Sequence, residues 1–212
     1  PFLGVLGLLF IPKEKEGAIR WWAIFVTGIT LIACLVLYKR FDEADAAMQF
    51  TFSMPWIKQF HINYKVGVDG ISLPMILING LLFFLCCFSS FDVKKSIKGY
   101  YILLLALEGS VFGVFMALDF FLFYVFWEIM LLPMFFLIGI WGGENKEYAA
   151  IKFFLYTFFG SILMLIGIIA LYFAAEGKLG VETFDMVKLM GGHFTDLKVS
   201  FFGSEFSFDK IF

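Results

Sequence analysis

The apolar positions of the chain fall into long unbroken runs separated by short polar links. Phe2–Pro12 reads as the tail of a first helix, too short to span a membrane alone. Further runs cover Trp21–Tyr38, Ile71–Ser90, Tyr100–Leu118, Phe120–Trp141 and Ala149–Ala174. Each of these five is close to the ~20 residues that carry a helix across a bilayer. Trp21, Trp22 and Tyr38 sit at the ends of the second run, where interfacial aromatic belts lie. Between the second and third runs, Lys39–Gly70 is a long polar connection containing MPW and GVDG, which predicts turns and a short interfacial helix. Asp119 marks a very tight turn between the fourth and fifth runs. Residues 175–212 are mixed and Gly-containing, and read as an extramembrane loop leading to another helix. The pattern predicts an all-α, polytopic transmembrane bundle with about six helices. A β-barrel would instead show alternating strands of about ten residues.

Composition supports the class. Of 212 residues, 61% are hydrophobic and 21% aromatic, and the mean hydropathy is +0.91. A net charge of −2, with no basic stripe, gives no sign of nucleic-acid binding. The chain opens with Pro1 inside an apolar stretch, with no charged leader before it, and reads as a piece whose start is missing. Cys34, Cys86 and Cys87 all fall in predicted spans, where packing is a simpler role than a disulfide or a metal site. His61 and His193 fall in loops, so no metal site is expected. Sequence motifs for nucleotide, flavin or iron–sulfur binding do not occur, so no cofactor is expected on this chain.

Charge changes the picture at two positions. Glu128 lies near the middle of the fifth run, where an ionised side chain costs ~2.5–3.5 kcal/mol on insertion scales. Five residues later comes Pro133, which lacks an N–H and crowds the carbonyl of Ile129. Glu128 thus sits about one turn from a weakened point in its own helix. Glu108 lies in the fourth run. Counted from Asp119 at ~1.5 Å per residue, Glu128 is about 13–14 Å along one helix and Glu108 about 16–17 Å back along the other. Two carboxyls therefore lie at similar depth on antiparallel neighbours, and helix rotation decides whether they face each other. Desolvation and a nearby like charge favour the protonated carboxyl, while a buried lysine favours the charged one. A group balanced between them suits proton transfer. Tyr124, Lys152, Tyr156 and Thr157 are polar groups placed to line a proton path. Gly109, Gly113, Gly139, Gly160 and Gly167 permit close helix approach.

Plainer roles stand beside these. Glu128 also fits a structural ion pair, and Glu108 a hydrogen-bonded structural acid. Asp119 fits a helix N-cap better than a proton entry, and Asp69 fits a turn or cap before the third helix. Lys152 fits a snorkelling interface residue. The 31 phenylalanines are most simply lipid-facing and packing surface.

The segment WEIMLLPMFFLIGIWGG (Trp127–Gly143), followed by YAAIKFFLYTFFGSILMLIGI (Tyr148–Ile168), resembles the M-type antiporter-like subunit of respiratory complex I, called subunit 4 in mitochondria. VGVDGISLPMILING (Val66–Gly80) is similar to the start of that family's third helix. The WE-x-M-x-x-P core followed by WG separates the M type from its L and N paralogues. The resemblance covers about Val66 to Phe173. It implies an inverted-repeat fold of about fourteen transmembrane helices, with the acid at Glu128 serving the first half-channel. It further implies a lysine partner on a broken seventh helix, outside this sequence. Glu108 has no counterpart in the motif. Flavin and iron–sulfur clusters would sit on partner subunits.

On this reading the chain is a non-redox, proton-translocating membrane-arm subunit of an NADH:quinone oxidoreductase. Its expected partners are other membrane-arm subunits, paralogous antiporter-like ones included, and its expected home is the bacterial plasma membrane rather than the mitochondrial one. Alternatives are a subunit of a multi-subunit cation/proton antiporter or membrane-bound hydrogenase, and a non-pumping scaffold. The basic residues orient the chain. Lys13, Lys15 and Arg20, then Lys94, Lys95 and Lys98, then Lys146 and Lys152 mark three short links as cytoplasmic, while the turn at Asp119 carries no cation. A topology reporter fused at Lys95 is expected to read cytoplasmic and one at Asp119 external; the reverse pattern would refute this orientation.

Overall fold

In the computed structural model, residues 1–45, 47–179, 183–191, 198–201 and 204–207 are described, the side chains of residues 176–179, 191, 198–201 and 204–207 excepted. In chain order the elements are α1 (Phe2–Phe10), α2 (Glu16–Arg40), β1 (Gln49–Ile57), β2 (Ile62–Val68), α3 (Ser72–Ser89), α4 (Ile97–Met116), α5 (Phe120–Trp141), α6 (Lys146–Leu179), α7 (Met186–Gly191), β3 (Lys198–Phe201) and β4 (Ser204–Ser207). Among the described residues, five helices, α2 to α6, are long and apolar enough to cross a membrane. This is a multi-pass helical chain, and α5 runs over the residues its apolar pattern predicts. Burial along α2 shows how a span divides its surface. Ile19, Ala23, Thr27 and Cys34 pack inward, while Trp21, Phe25, Ile29, Ile32 and Val36 form an exposed apolar stripe suited to lipid. Trp22 does more than mark an interface, because its indole N–H donates to the Gly4 carbonyl on α1 at 3.0 Å.

Several predicted boundaries move, most of all those of α2 and α6. α2 begins five residues before Trp21 and ends two beyond Tyr38, because charged flanks extend a helix past its apolar core. α6 begins at Lys146 and continues to Leu179, into the stretch read as a loop. Its 34 residues span ~51 Å at a helical rise, so it extends beyond the ~30 Å hydrocarbon layer. The loop reading of residues 175–212 also gives way to the short helix α7 and the antiparallel β3–β4 hairpin. His193 lies outside the described residues.

The larger correction concerns Lys39–Gly70. Instead of turns and an interfacial helix, β1 and β2 form an antiparallel hairpin, with only a single helical turn at Lys58–Phe60. Phe50, Phe52, Met54 and Trp56 alternate with polar or small residues along β1, as do Ile62, Tyr64, Val66 and Val68 along β2. That period of two is the signature of a strand.

The hairpin holds the short link between α4 and α5. Leu118 N–H donates to the Lys65 carbonyl at 2.9 Å, and Val66 pairs with Ala117. On the other side Phe120 N–H donates to Phe184 and Met186 N–H to Leu118, with Asp119 paired to Asp185. The link is therefore the middle of a small β layer. Lys65 reaches across it to Asp185, Nζ to Oδ2, at 2.7 Å. Asp119 is fully buried and caps α5, accepting from the N–H groups of Phe121 at 3.0 Å and Leu122 at 3.3 Å, while its other oxygen accepts from Asn63 N–H at 3.2 Å. Asp69 caps α3 reciprocally with Ser72. Burial pulls the Asp69 carboxyl up, but hydrogen bonds from Ser72 and Ile71 outweigh it and hold the group below its ordinary range, so this cap is charged at neutral pH.

At the opposite end, basic side chains close helix ends that have run out of internal partners. Lys98 donates to the Leu9 and Ile11 carbonyls after α1, and Lys146 to the Ile140 carbonyl of α5. The cations that orient the chain thus also cap it.

Substituting Asp119→Ala removes the α5 cap and leaves three N–H groups without their acceptor. A loss of ~1–2 kcal/mol is expected from the cap, read as a lower midpoint of thermal unfolding in detergent, with Asp119→Asn retaining most of the stability.

Candidate functional site

The rotation of α4 and α5 sends the two buried glutamates in different directions. Gly113 of α4 leaves room for the Phe126 ring, so Phe126 marks the face of α5 that meets α4. Two residues on, Glu128 is turned by about 200° from that face. It belongs to the stripe Tyr124, Glu128, Leu131 and Phe135, spaced as one helix face. That stripe packs on α6. The Phe135 ring meets Phe154 edge-on at 5.5 Å, Ala150 lies at Gly139, and Tyr124 interacts with Ser161. These three contacts fix an antiparallel register in which Glu128 falls level with the turn Thr157–Ser161.

Glu128 is half-buried, and its Oε1 is enclosed without a hydrogen-bond partner among the described residues. Tyr124, one turn before it, interacts with both Glu128 and Ser161. α5 remains a single helix through Pro133, which is buried. The carboxyl therefore lies between two helices, with the Tyr124 phenol beside it and the proline-crowded carbonyl of Ile129 on the next residue.

The other residues proposed for a proton path separate. Thr157 is on the α6 turn level with Glu128, but its hydroxyl donates to the Phe153 carbonyl at 2.6 Å and is spent within its own helix. Tyr156 is 83% exposed. Lys152 is exposed and lies over the Tyr148 ring, 5.8 Å from the centroid, as a snorkelling residue would. Ser161 was missed, although a Ser four residues after Thr157 puts a second hydroxyl on the same helix face.

Glu108 joins a different set. It is fully buried on α4 with Tyr101, Leu104 and Leu105, on the face that packs against α1, α2 and α3. Glu108 acts electrostatically on the thiols of Cys34 and Cys87, and no such interaction joins it to Glu128. The similar depth expected of the two acids does not bring them together. Cys34 and Cys87 are buried free thiols and Cys86 is exposed, each within a span.

Comparison with known proteins supplies the family. Residues 117–205 match the model described as NADH:quinone oxidoreductase/Mrp antiporter, transmembrane. The F(420)H(2) dehydrogenase subunit M of Methanosarcina mazei is 44% identical over 185 residues, which cover 85% of this chain and 37% of the relative. NADH-quinone oxidoreductase subunit M of Rhodobacter capsulatus is 44% identical over 184 residues, covering 87% of this chain and 34% of that protein. Among solved structures, a chain of respiratory complex I from Thermus thermophilus with bound NADH superposes with a TM-score of 0.71 at 25% identity, covering 89% of this chain and 39% of that one. The chain spans about a third of the length of these curated relatives. It belongs to the NADH:quinone oxidoreductase/Mrp antiporter family as part of an M-type, antiporter-like membrane subunit.

Proposed function

We propose that this chain works within a proton-translocating membrane subunit of an NADH:quinone oxidoreductase, with Glu128 as the acid that takes up and releases the proton. The observation that carries the reading is the place of Glu128: mid-span, on the α5 stripe facing α6, beside Tyr124, with one oxygen enclosed and unpartnered. A carboxyl kept there at a cost of ~2.5–3.5 kcal/mol points to proton handling, as intramembrane acids generally do. Tyr124 supplies a hydroxyl that can both donate and accept, so it can hold Glu128 in either protonation state. Electron transfer, with its flavin and iron–sulfur groups, belongs to partner subunits. Redox energy reaches Glu128 through a change in its surroundings, which alters its affinity for the proton. The chain sits in a bacterial plasma membrane beside other membrane-arm subunits. The family description also names Mrp antiporters, which favours one second reading, a subunit of a multi-subunit cation/proton antiporter. Co-purification with NADH-oxidising subunits selects the first reading, and purification with membrane subunits alone selects the second.

In the intact complex reconstituted in vesicles, Glu128→Gln is expected to assemble normally and to lose at least tenfold in both NADH:quinone turnover and proton transport. Unchanged turnover with unchanged protons per electron would refute the role of Glu128. Tyr124→Phe, which removes only the hydroxyl, is expected to slow pumping several-fold without abolishing it, measured in the same vesicles.

A further inference from the structure

Glu108 has no part in the group around Glu128, yet it is the more deeply enclosed acid. It is 0% exposed, and neither carboxyl oxygen has a hydrogen-bond partner among the described residues. On α3, Asn79 is buried as well, and its amide nitrogen also lacks a partner. α3 and α4 pack against each other in antiparallel fashion. Asn79 lies about 10–12 Å from the outer end of α3 and Glu108 about 12–13 Å from the outer end of α4, at ~1.5 Å per residue. Two orphaned polar groups therefore stand at the same level on adjacent helices.

The surroundings of Glu108 decide its charge. Glu108 lies within electrostatic reach of the thiols of Cys34 on α2 and Cys87 on α3. Among the described residues, no lysine or arginine acts on it, and nor does Glu128 from α5. Leu104 and Leu105, one turn before it on its own helix, are buried in the apolar core between α1, α2 and α4. An isolated carboxylate is very costly in such a site, and the group escapes the cost by taking a proton. Because its own chain covers it completely, neither lipid nor a neighbouring subunit reaches its oxygens in this conformation.

We infer that Glu108 is a second proton-binding site, enclosed within α1–α4 and separate from the Glu128 group, with Asn79 as its positioning residue on α3. In the resting protein Glu108 is a neutral acid that keeps its proton while Glu128 exchanges its own. Its part in transport rests on the reading of Glu128 above; its binding of a proton does not.

Infrared difference spectroscopy between the wild-type complex and each variant, both at neutral pH, tests this through the carbonyl stretch of protonated carboxyls. One such band is expected in the wild type and in Glu128→Gln, absent in Glu108→Gln, and displaced in Asn79→Leu. A spectrum that Glu108→Gln leaves unchanged means the group is ionised and overturns the proposal. Loss of the same band in Glu128→Gln means one coupled site and overturns the separation. An unmoved band in Asn79→Leu overturns the role of Asn79. Should Glu108→Gln fail to assemble, Glu108→Asp keeps the acid but moves it, so a shifted band supports the site and an unshifted one refutes it. If Glu128→Gln pumps normally while the Glu108 band persists, the transport reading fails and this site stands.

Discussion

The three-residue link Ala117–Asp119 constrains the rest of the structure. A connection this short forces α4 and α5 side by side, and the β layer on either side of it leaves the link little freedom to turn. Asp119 then sets where α5 starts by capping its first N–H groups. With start and direction fixed, every later residue of α5 has a defined angle around the helix. Gly113 admits Phe126, and that single close approach commits the opposite face, with Tyr124 and Glu128, to α6. The position of an acid deep in the span is thus decided at the membrane surface, by backbone hydrogen bonds and one buried carboxylate.

Much of this was legible in the residues, and the limits have physical causes. Unbroken apolar runs gave the spans, because a bilayer requires about twenty such residues in a row. Asp119 and Asp69 were legible as caps, since Asp before an apolar run accepts free N–H groups. The hairpin was also written in the sequence, as strict alternation along Phe50–Trp56 and Ile62–Val68, but a search tuned to continuous apolar runs passes over a period of two. The Lys65–Asp185 pair was not legible, because 120 residues separate its members and only folding brings them together. Helix depth follows from counting residues, so the two glutamates were placed correctly along their helices. Rotation depends on which neighbour each face meets, so their separation was not readable.

The relatives sharpen what this segment does and does not encode. Two proteins of equal identity to it, 44%, are named for different electron donors, F(420)H(2) and NADH. Overall identity to this segment therefore does not separate the two donors.

The two acids differ in their access to a partner. Glu128 is half-buried on a helix pair whose outer faces remain open in this segment, with Leu132 and Phe136 of α5 and Leu155 and Phe159 of α6 exposed. A cation from elsewhere in the assembly can approach it and stabilise its charged form. Glu108 is closed on all sides by its own helices, so an approaching cation would first have to part α1–α4. Equal depth in the bilayer therefore does not make the acids equivalent. Under the function proposed above, the carboxyl that a moving charge can reach is the one suited to exchange its proton with each cycle, and the sealed one to retain it.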